Sequence, residues 1–174
     1  GTLSDDDIEI NVEKGVVYVS ISDKLLFNSG SFTVTTRAKK VLEKIAKVIS
    51  DKPDLEFMVE GHTDNLLIDQ EKAAETIPGV LDNWDLSVKR ATSVVRILQN
   101  DYGVDPTKLV AAGRSFYMPI ADNDSSVSRA VNRRTRIIVL PKLDQFTKLI
   151  EEGMSMNVPA TGPSNTISSD NKPD

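Results

Sequence analysis

Apolar residues along the chain fall into two rhythms, and the switches between them mark out the elements. "VVYVSI" at 16–21 is rich in β-branched residues, and either alternate set of its side chains can face a core. From Val34 the spacing lengthens. Val34, Ala38, Val41, Leu42, Ile45, Ala46 and Ile49 share one helical face, and Pro53 ends the run. "LEFMVEG" at 55–61 is short and apolar enough for a central strand. Between 66 and 82 the pattern weakens: "DQEKAAE" suits a turn or two of helix, and Pro78-Gly79 breaks anything longer. A second helix follows, with Asn83 as its expected cap and Asp85 in its first turn, where a negative charge suits the dipole. Its apolar stripe is Trp84, Val88, Ala91, Val95 and Leu98. Beyond a turn at Asp105-Pro106 come a third strand near 108–112, a long loop, and a fourth strand in "TRIIVL" at 135–140, closed by Pro141. A short amphipathic helix is expected over 143–152.

This order predicts an α/β (α+β) domain over 16–152: a single mixed four-stranded sheet with two main helices packed mainly on one face. Residues 1–15, polar and acidic with "SDDD" at 4–7, read as a flexible N-terminal segment. Residues 153–174, rich in Ser, Asn, Pro, Thr and Asp, read as a disordered tail. In such sheets the loops that leave strands toward helices carry the ligand. The loop after Gly61 is one of them.

Composition narrows the chemistry. A net charge of −5 argues against nucleic-acid binding, which needs a basic face, although "NRR" at 132–134 is a local basic cluster. The absence of cysteine removes disulfides, thiolate metal sites and cysteine nucleophiles together. No stretch reaches the roughly 20 apolar residues that span a bilayer. The chain begins at Gly1 without Met, which leaves room for a signal peptide or anchor upstream.

The single histidine, His62, stands in "GHTDN" at 61–65. A metal site would need two or more carboxylates beside it, and nothing fixes Asp64 and Asp69 in that geometry. A serine relay would need a nucleophile elbow, and no G-x-S-x-G is present. Read blandly, the stretch is a strand-to-loop turn and Arg90 a solvated helix residue. Read together, Asp64 at a strand end and Arg90 two turns into the next helix form a receptor for a zwitterion. The aspartate would accept from an ammonium, and the arginine would grip a carboxylate through two parallel hydrogen bonds. An ordinary surface ion pair contributing about 0–1 kcal/mol remains the competing reading.

The stretches "EGHTDN", "NWDLSVKRATSVVRIL" and "GVDPTKLVAAGRSFYMPIADNDSSVSRAVNRRTRIIV" resemble, in order, the OmpA-like C-terminal domain family. That family includes periplasmic domains of flagellar stator proteins and peptidoglycan-associated lipoproteins. The resemblance runs from about Leu26 to Leu140. It implies a βαβαββ fold and a binding module, not an enzyme, that holds peptidoglycan non-covalently in a Gram-negative envelope. It also implies a periplasmic location, with attachment to the outer or inner membrane through a region upstream. By the family's motifs, Asp64 and Arg90 hold the diaminopimelate residue of the stem peptide. Phe27, Asn28, Thr63, Asn65, Leu86 and Arg133 line the pocket, and His62 orders the turn. No cofactor or metal is implied, and a homodimer is a candidate assembly. The chain departs from the pattern in its long segment 66–82 and in "AAGRSFYMP", where a second glycine is common. A peptidoglycan hydrolase using His62 and a purely structural or dimerisation domain are the rival readings.

Overall fold

The computed structural model describes residues 8–13, 16–28, 31–52, 54–69, 71, 78–141 and 150–153. It divides into two compact units, residues 1–142 and 143–174. Of the second, only the helical residues 150–153 are described, so most of the helix expected over 143–152 and all of the tail beyond 153 lie outside the described residues.

The first unit carries a five-stranded mixed sheet in the order β1-β2-β5-β3-β4. Its strands are β1 (Ile8–Glu13), β2 (Val16–Ser22), β3 (Leu55–His62), β4 (Leu109–Gly113) and β5 (Arg134–Pro141). The neighbours β1/β2, β2/β5 and β5/β3 are antiparallel, while β3/β4 is parallel. The sheet therefore has one strand more than the four expected. β1 was concealed because its alternation of Ile8, Ile10 and Val12 lies in an otherwise acidic segment. It is an edge strand, paired on one side only, and it leaves Ile10 70% and Val12 69% exposed.

Helices α1 (Asp23–Leu26), α2 (Thr36–Ser50), α3 (Asn83–Arg96) and α4 (Ser126–Asn132) complete the unit. The region read as a plain loop after β4 thus contains α4, whose seven residues are too few for a clear periodic stripe. Thr35 caps α2 by accepting from Ala38 N, and the buried face is Ala38, Val41, Leu42, Ala46 and Ile49. These pack in one core with Ile21, Phe57, Val59 and Ile137, which occupy one side of the sheet by register.

Helix α3 departs from expectation in two details. Its cap is Asp82, whose carboxylate accepts from Trp84 N and Asp85 N, whereas Asn83 begins the helix and is buried. Its buried face is Ser87, Arg90, Ala91 and Val94, continued by Leu98 in the π-helical segment Ile97–Asp101 that follows, while Trp84 (48%) and Val88 (42%) remain exposed. The helix is rotated from the purely apolar stripe because it packs on the sheet through its smallest residues. A Cβ at Gly61 of β3 would overlap the Ser87 carbonyl oxygen, and one at Gly113 of β4 would overlap Ser87 Oγ. Helix and sheet meet backbone to backbone there.

Gly61→Ala should therefore destabilise the domain by about 2–3 kcal/mol, the upper range for overpacking, because the clash is with backbone rather than with a movable side chain. Chemical denaturation against the wild type measures it, and a loss under about 0.5 kcal/mol would show that α3 can back away from the sheet.

Candidate functional site

Sheet register brings three loop residues to one end of the sheet. Arg134, at the start of β5, pairs with Ser22 on one side and His62 on the other. Arg133 therefore enters the sheet between the end of β2 and the end of β3, with Asp23 and Asp64 just beyond those ends. The backbone N–H of Asp23 donates to Arg133 O at 3.0 Å, which fixes the pair. From above, α3 contributes Arg90.

Two carboxylates and two guanidiniums thus share one neighbourhood. Arg133 Nη1 donates to Asp64 Oδ2 at 2.6 Å, and Arg90 Nη2 forms an ion pair with Asp23 Oδ2 at 3.1 Å. Asp64 and Arg90 are each 7% exposed. The Arg90 guanidinium lies 5.4 Å from the centre of the Phe27 ring. Burial pulls Arg90 below its ordinary pKa; Asp23 and Asp64 oppose that, and Arg133 adds to it. Burial likewise pushes the Asp23 carboxyl up against the pull of Arg90 and Arg133. Arg90 Nε is buried without a hydrogen-bond acceptor.

The Asp64 loop is held by its own polar groups. Thr63 N donates to Ser115 O and Arg114 N donates to Gly61 O, both at 2.9 Å. Thr63 Oγ1 donates to Asp64 O, and Asp64 Oδ1 accepts from Leu66 N. Asn83 Nδ2 reaches across from α3 to Asp64 O at 3.3 Å and Leu66 O at 3.0 Å. Ser115 is fastened in turn through its N–H to Ser87 Oγ at 3.2 Å. With φ of 52° it takes the left-handed conformation that a glycine would adopt freely. The absent second glycine after Gly113 is met in this way.

The structure gathers most of the expected site residues while rearranging their partners. Asp64 and Arg90 belong to one cluster, but each makes its direct ion pair elsewhere, with Arg133 and Asp23 respectively. Phe27 is buried beneath Arg90, Thr63 is buried, Leu86 and Arg133 are half-buried, and Asn28 and Asn65 are exposed. Sequence reasoning passed over Asp23 and Asn83. The signal for Asp23 was an acidic residue directly after the first predicted strand, in "SDKLL"; Asn83 was masked by its suitability as a cap.

His62 lies elsewhere in function. It is 2% exposed on the sheet face opposite α2 and α3. Its Nε2–H donates to Glu60 Oε1 at 2.8 Å, and Glu60 Oε2 accepts from Arg114 Nε at 2.8 Å. Nδ1 is buried without a partner, which fits a neutral ring with its proton on Nε2. Burial lowers the His62 pKa, Arg134 and Arg136 lower it further, and Glu60 only partly compensates. For Glu60, burial alone would raise the pKa, but the hydrogen bonds from His62 and Arg114 outweigh it and hold the carboxyl at about 2. Among the described residues no group of three or more His, Cys, Asp or Glu is arranged to hold a metal ion.

Comparison with known proteins places this geometry in a lineage. Residues 26–133 match the sequence profile of the OmpA family. Motility protein B of Bacillus subtilis is 27% identical over 135 residues, which are 78% of this chain and 49% of that protein. Outer membrane protein Omp38 of Acinetobacter baumannii is 31% identical over 137 residues, 79% of this chain and 35% of that protein. The chain therefore spans about half the length of the first and about a third of the second. Among solved structures, the cell wall anchor of the T6SS from Pseudomonas aeruginosa is 30% identical, with a TM-score of 0.66 over 78% of this chain and 89% of that one.

The His62–Glu60 pair carries a pH signature. A histidine whose folded pKa lies below its unfolded value of about 6.5 contributes full stability above that pH and loses it as pH falls. Glu60 adds a second loss between its ordinary value of 4.5 and about 2. Melting temperature should thus fall between pH 7 and pH 5. His62→Gln, whose amide can still donate to Glu60, should flatten that interval while keeping the fall below pH 4.5. An unchanged slope between pH 7 and 5 in the variant would assign the effect to other groups.

Proposed function

We propose, from the premise that the chain belongs to the OmpA family, that it is a non-covalent peptidoglycan-binding module. It tethers an envelope protein to the cell wall in the periplasm by gripping the diaminopimelate residue of a stem peptide. The observation that carries this reading is the four-charge cluster of Asp23, Asp64, Arg90 and Arg133 at the end of the sheet. The far end of diaminopimelate bears an ammonium and a carboxylate on one carbon, a zwitterion whose charges complement such a cluster. Its ammonium replaces Arg133 on Asp64 Oδ2. Its carboxylate takes the guanidinium of Arg90, whose buried Nε has no other acceptor. Thr63, Asn65, Leu86, Phe27, Asn28 and Arg133 supply the walls and rim.

The cluster is neutral as a whole, with each charge already opposed. Binding exchanges internal ion pairs for pairs with the ligand, so affinity at one site is modest and many copies on one sacculus supply avidity. The reading as a binder rather than a hydrolase is supported by His62. Its ring is buried, one nitrogen is committed to Glu60 and the other faces no nucleophile. The name of the 30%-identical T6SS structure, a cell wall anchor, supports the same role.

Purified sacculi provide the test. Asp64→Asn keeps the acceptor for Leu66 N and removes the charge, so the variant should remain folded and lose about ten-fold or more in retention. Full retention of this variant would sink the proposal. Arg90→Ala should also weaken retention, and it should cost about 1–3 kcal/mol of stability by leaving the half-buried Asp23 carboxylate without its ion pair. A peptide with its terminal diaminopimelate carboxylate amidated should bind more weakly, because Arg90 loses its charged partner; equal affinity would remove Arg90 from the grip.

A further inference from the structure

Beside the charged cluster lies a cavity of about 270 Å³ whose walls include Leu67, Leu81, Asn83, Trp84, Phe116 and Tyr117. Its surface is unusual for this chain. Aromatic residues make up only 5% of the sequence, yet the single tryptophan stands here tilted against a tyrosine that in turn stacks on a phenylalanine. Tyr117 lies 4.5 Å from Phe116 and 5.5 Å from Trp84, measured between ring centres. The stack is open to water: Tyr117 is 62% exposed, Leu81 67%, Leu67 82% and Trp84 48%. Exposed aromatic rings held in a preformed concavity mark a ligand site more often than a packing remnant.

The cavity shares its floor with the candidate site. Asn83, which lines it, donates to Asp64 O and Leu66 O, and Ser115, which also lines it, accepts from Thr63 N. A ligand anchored at Asp64 therefore lies close to these rings, within reach of its more distant groups. The volume falls just below the usual range for drug-sized ligand pockets and suits one ring. Charge narrows the ligand further. Asp82 lines the cavity and Asp85 Oδ2 accepts from Leu81 N at its wall, so an anionic group is disfavoured. A neutral group is required that has one apolar face for the rings and a hydroxylated edge for water. A pyranose ring answers that description, with axial C–H bonds on its face and hydroxyl groups around its edge.

We propose that this cavity is a subsite for one neutral, acetamido-bearing pyranose of the glycan strand, stacked on Trp84 and Tyr117. The proposal rests on the peptidoglycan reading above and adds a second point of contact to it. The sugar lies against the aromatic stack while the stem peptide reaches the charged cluster. The polymer is thereby recognised by two chemistries at once, an apolar face and a zwitterion.

Because Trp84 is the only tryptophan, its emission reports on this cavity directly. The full chain would be titrated separately with a β-1,4-linked N-acetylglucosamine tetrasaccharide, a diaminopimelate-containing stem peptide, and that peptide joined to its disaccharide. The tetrasaccharide should shift Trp84 emission, and the disaccharide-peptide should bind roughly ten-fold tighter than the bare peptide. Tyr117→Ala, at an exposed position, should abolish that gain and leave bare-peptide affinity unchanged. Equal affinity for the two peptides with silent emission would overturn the subsite while the anchoring role stands. A tetrasaccharide response without binding of the bare peptide would sustain the sugar site and refute the diaminopimelate grip. Concentration-dependent dimerisation that Tyr117→Ala disrupts, with no response to sugar, would overturn the proposal in favour of a protein-docking face.

Discussion

Helix α3 rests on β3 and β4 with nothing between Ser87 and the glycines at 61 and 113. That contact sets the height of the helix over the sheet, and the rest of the site follows from it. Ser87 Oγ receives Ser115 N, Ser115 O receives Thr63 N, and the Asp64 loop is drawn down onto the sheet end. Asn83, one turn earlier on the same helix, closes the loop from the other side. Arg90, three residues after Ser87, is brought to the height at which it meets Asp23. A bulkier residue at either glycine would lift the helix, and the carboxylates and guanidiniums would no longer share a neighbourhood.

Two buried or half-buried charge systems stand at this end of the sheet, and they differ in what they can do. Glu60 is paired with both His62 and Arg114, which hold its carboxyl pKa at about 2, and His62 Nδ1 is left buried without a partner. Such a network orders a turn. The cluster on the other side of the β3 terminus is less settled. Arg90 keeps a buried N–H without an acceptor, and burial displaces both Arg90 and Asp23 from their ordinary pKa values. Unmet demand of this kind is what a charged ligand can answer.

The aromatic cluster of exposed Trp84 and Tyr117 with half-buried Phe116 changes how the neighbouring surface is understood. With Leu67 and Leu81 it lines a cavity that Asn83 joins to the Asp64 loop.

Hydrophobic period was enough to read the two main helices, four of the five strands and the stacking of helices on one sheet face, because each depends on local spacing and on burial of one side. The motifs were enough to single out Asp64, Arg90 and Arg133. Strand β1 escaped because an edge strand buries little and so needs little apolar signal. Helix α4 escaped because a helix of seven residues shows too few turns. Which charge meets which was never legible. Asp23 and Arg90 are 67 positions apart in the sequence, and their contact exists only because antiparallel register sets β5 between β2 and β3. The exposure of Trp84 was equally hidden, since a helical stripe gives the apolar residues but not the rotation of the helix. That rotation was decided by a serine small enough to lie on two glycines.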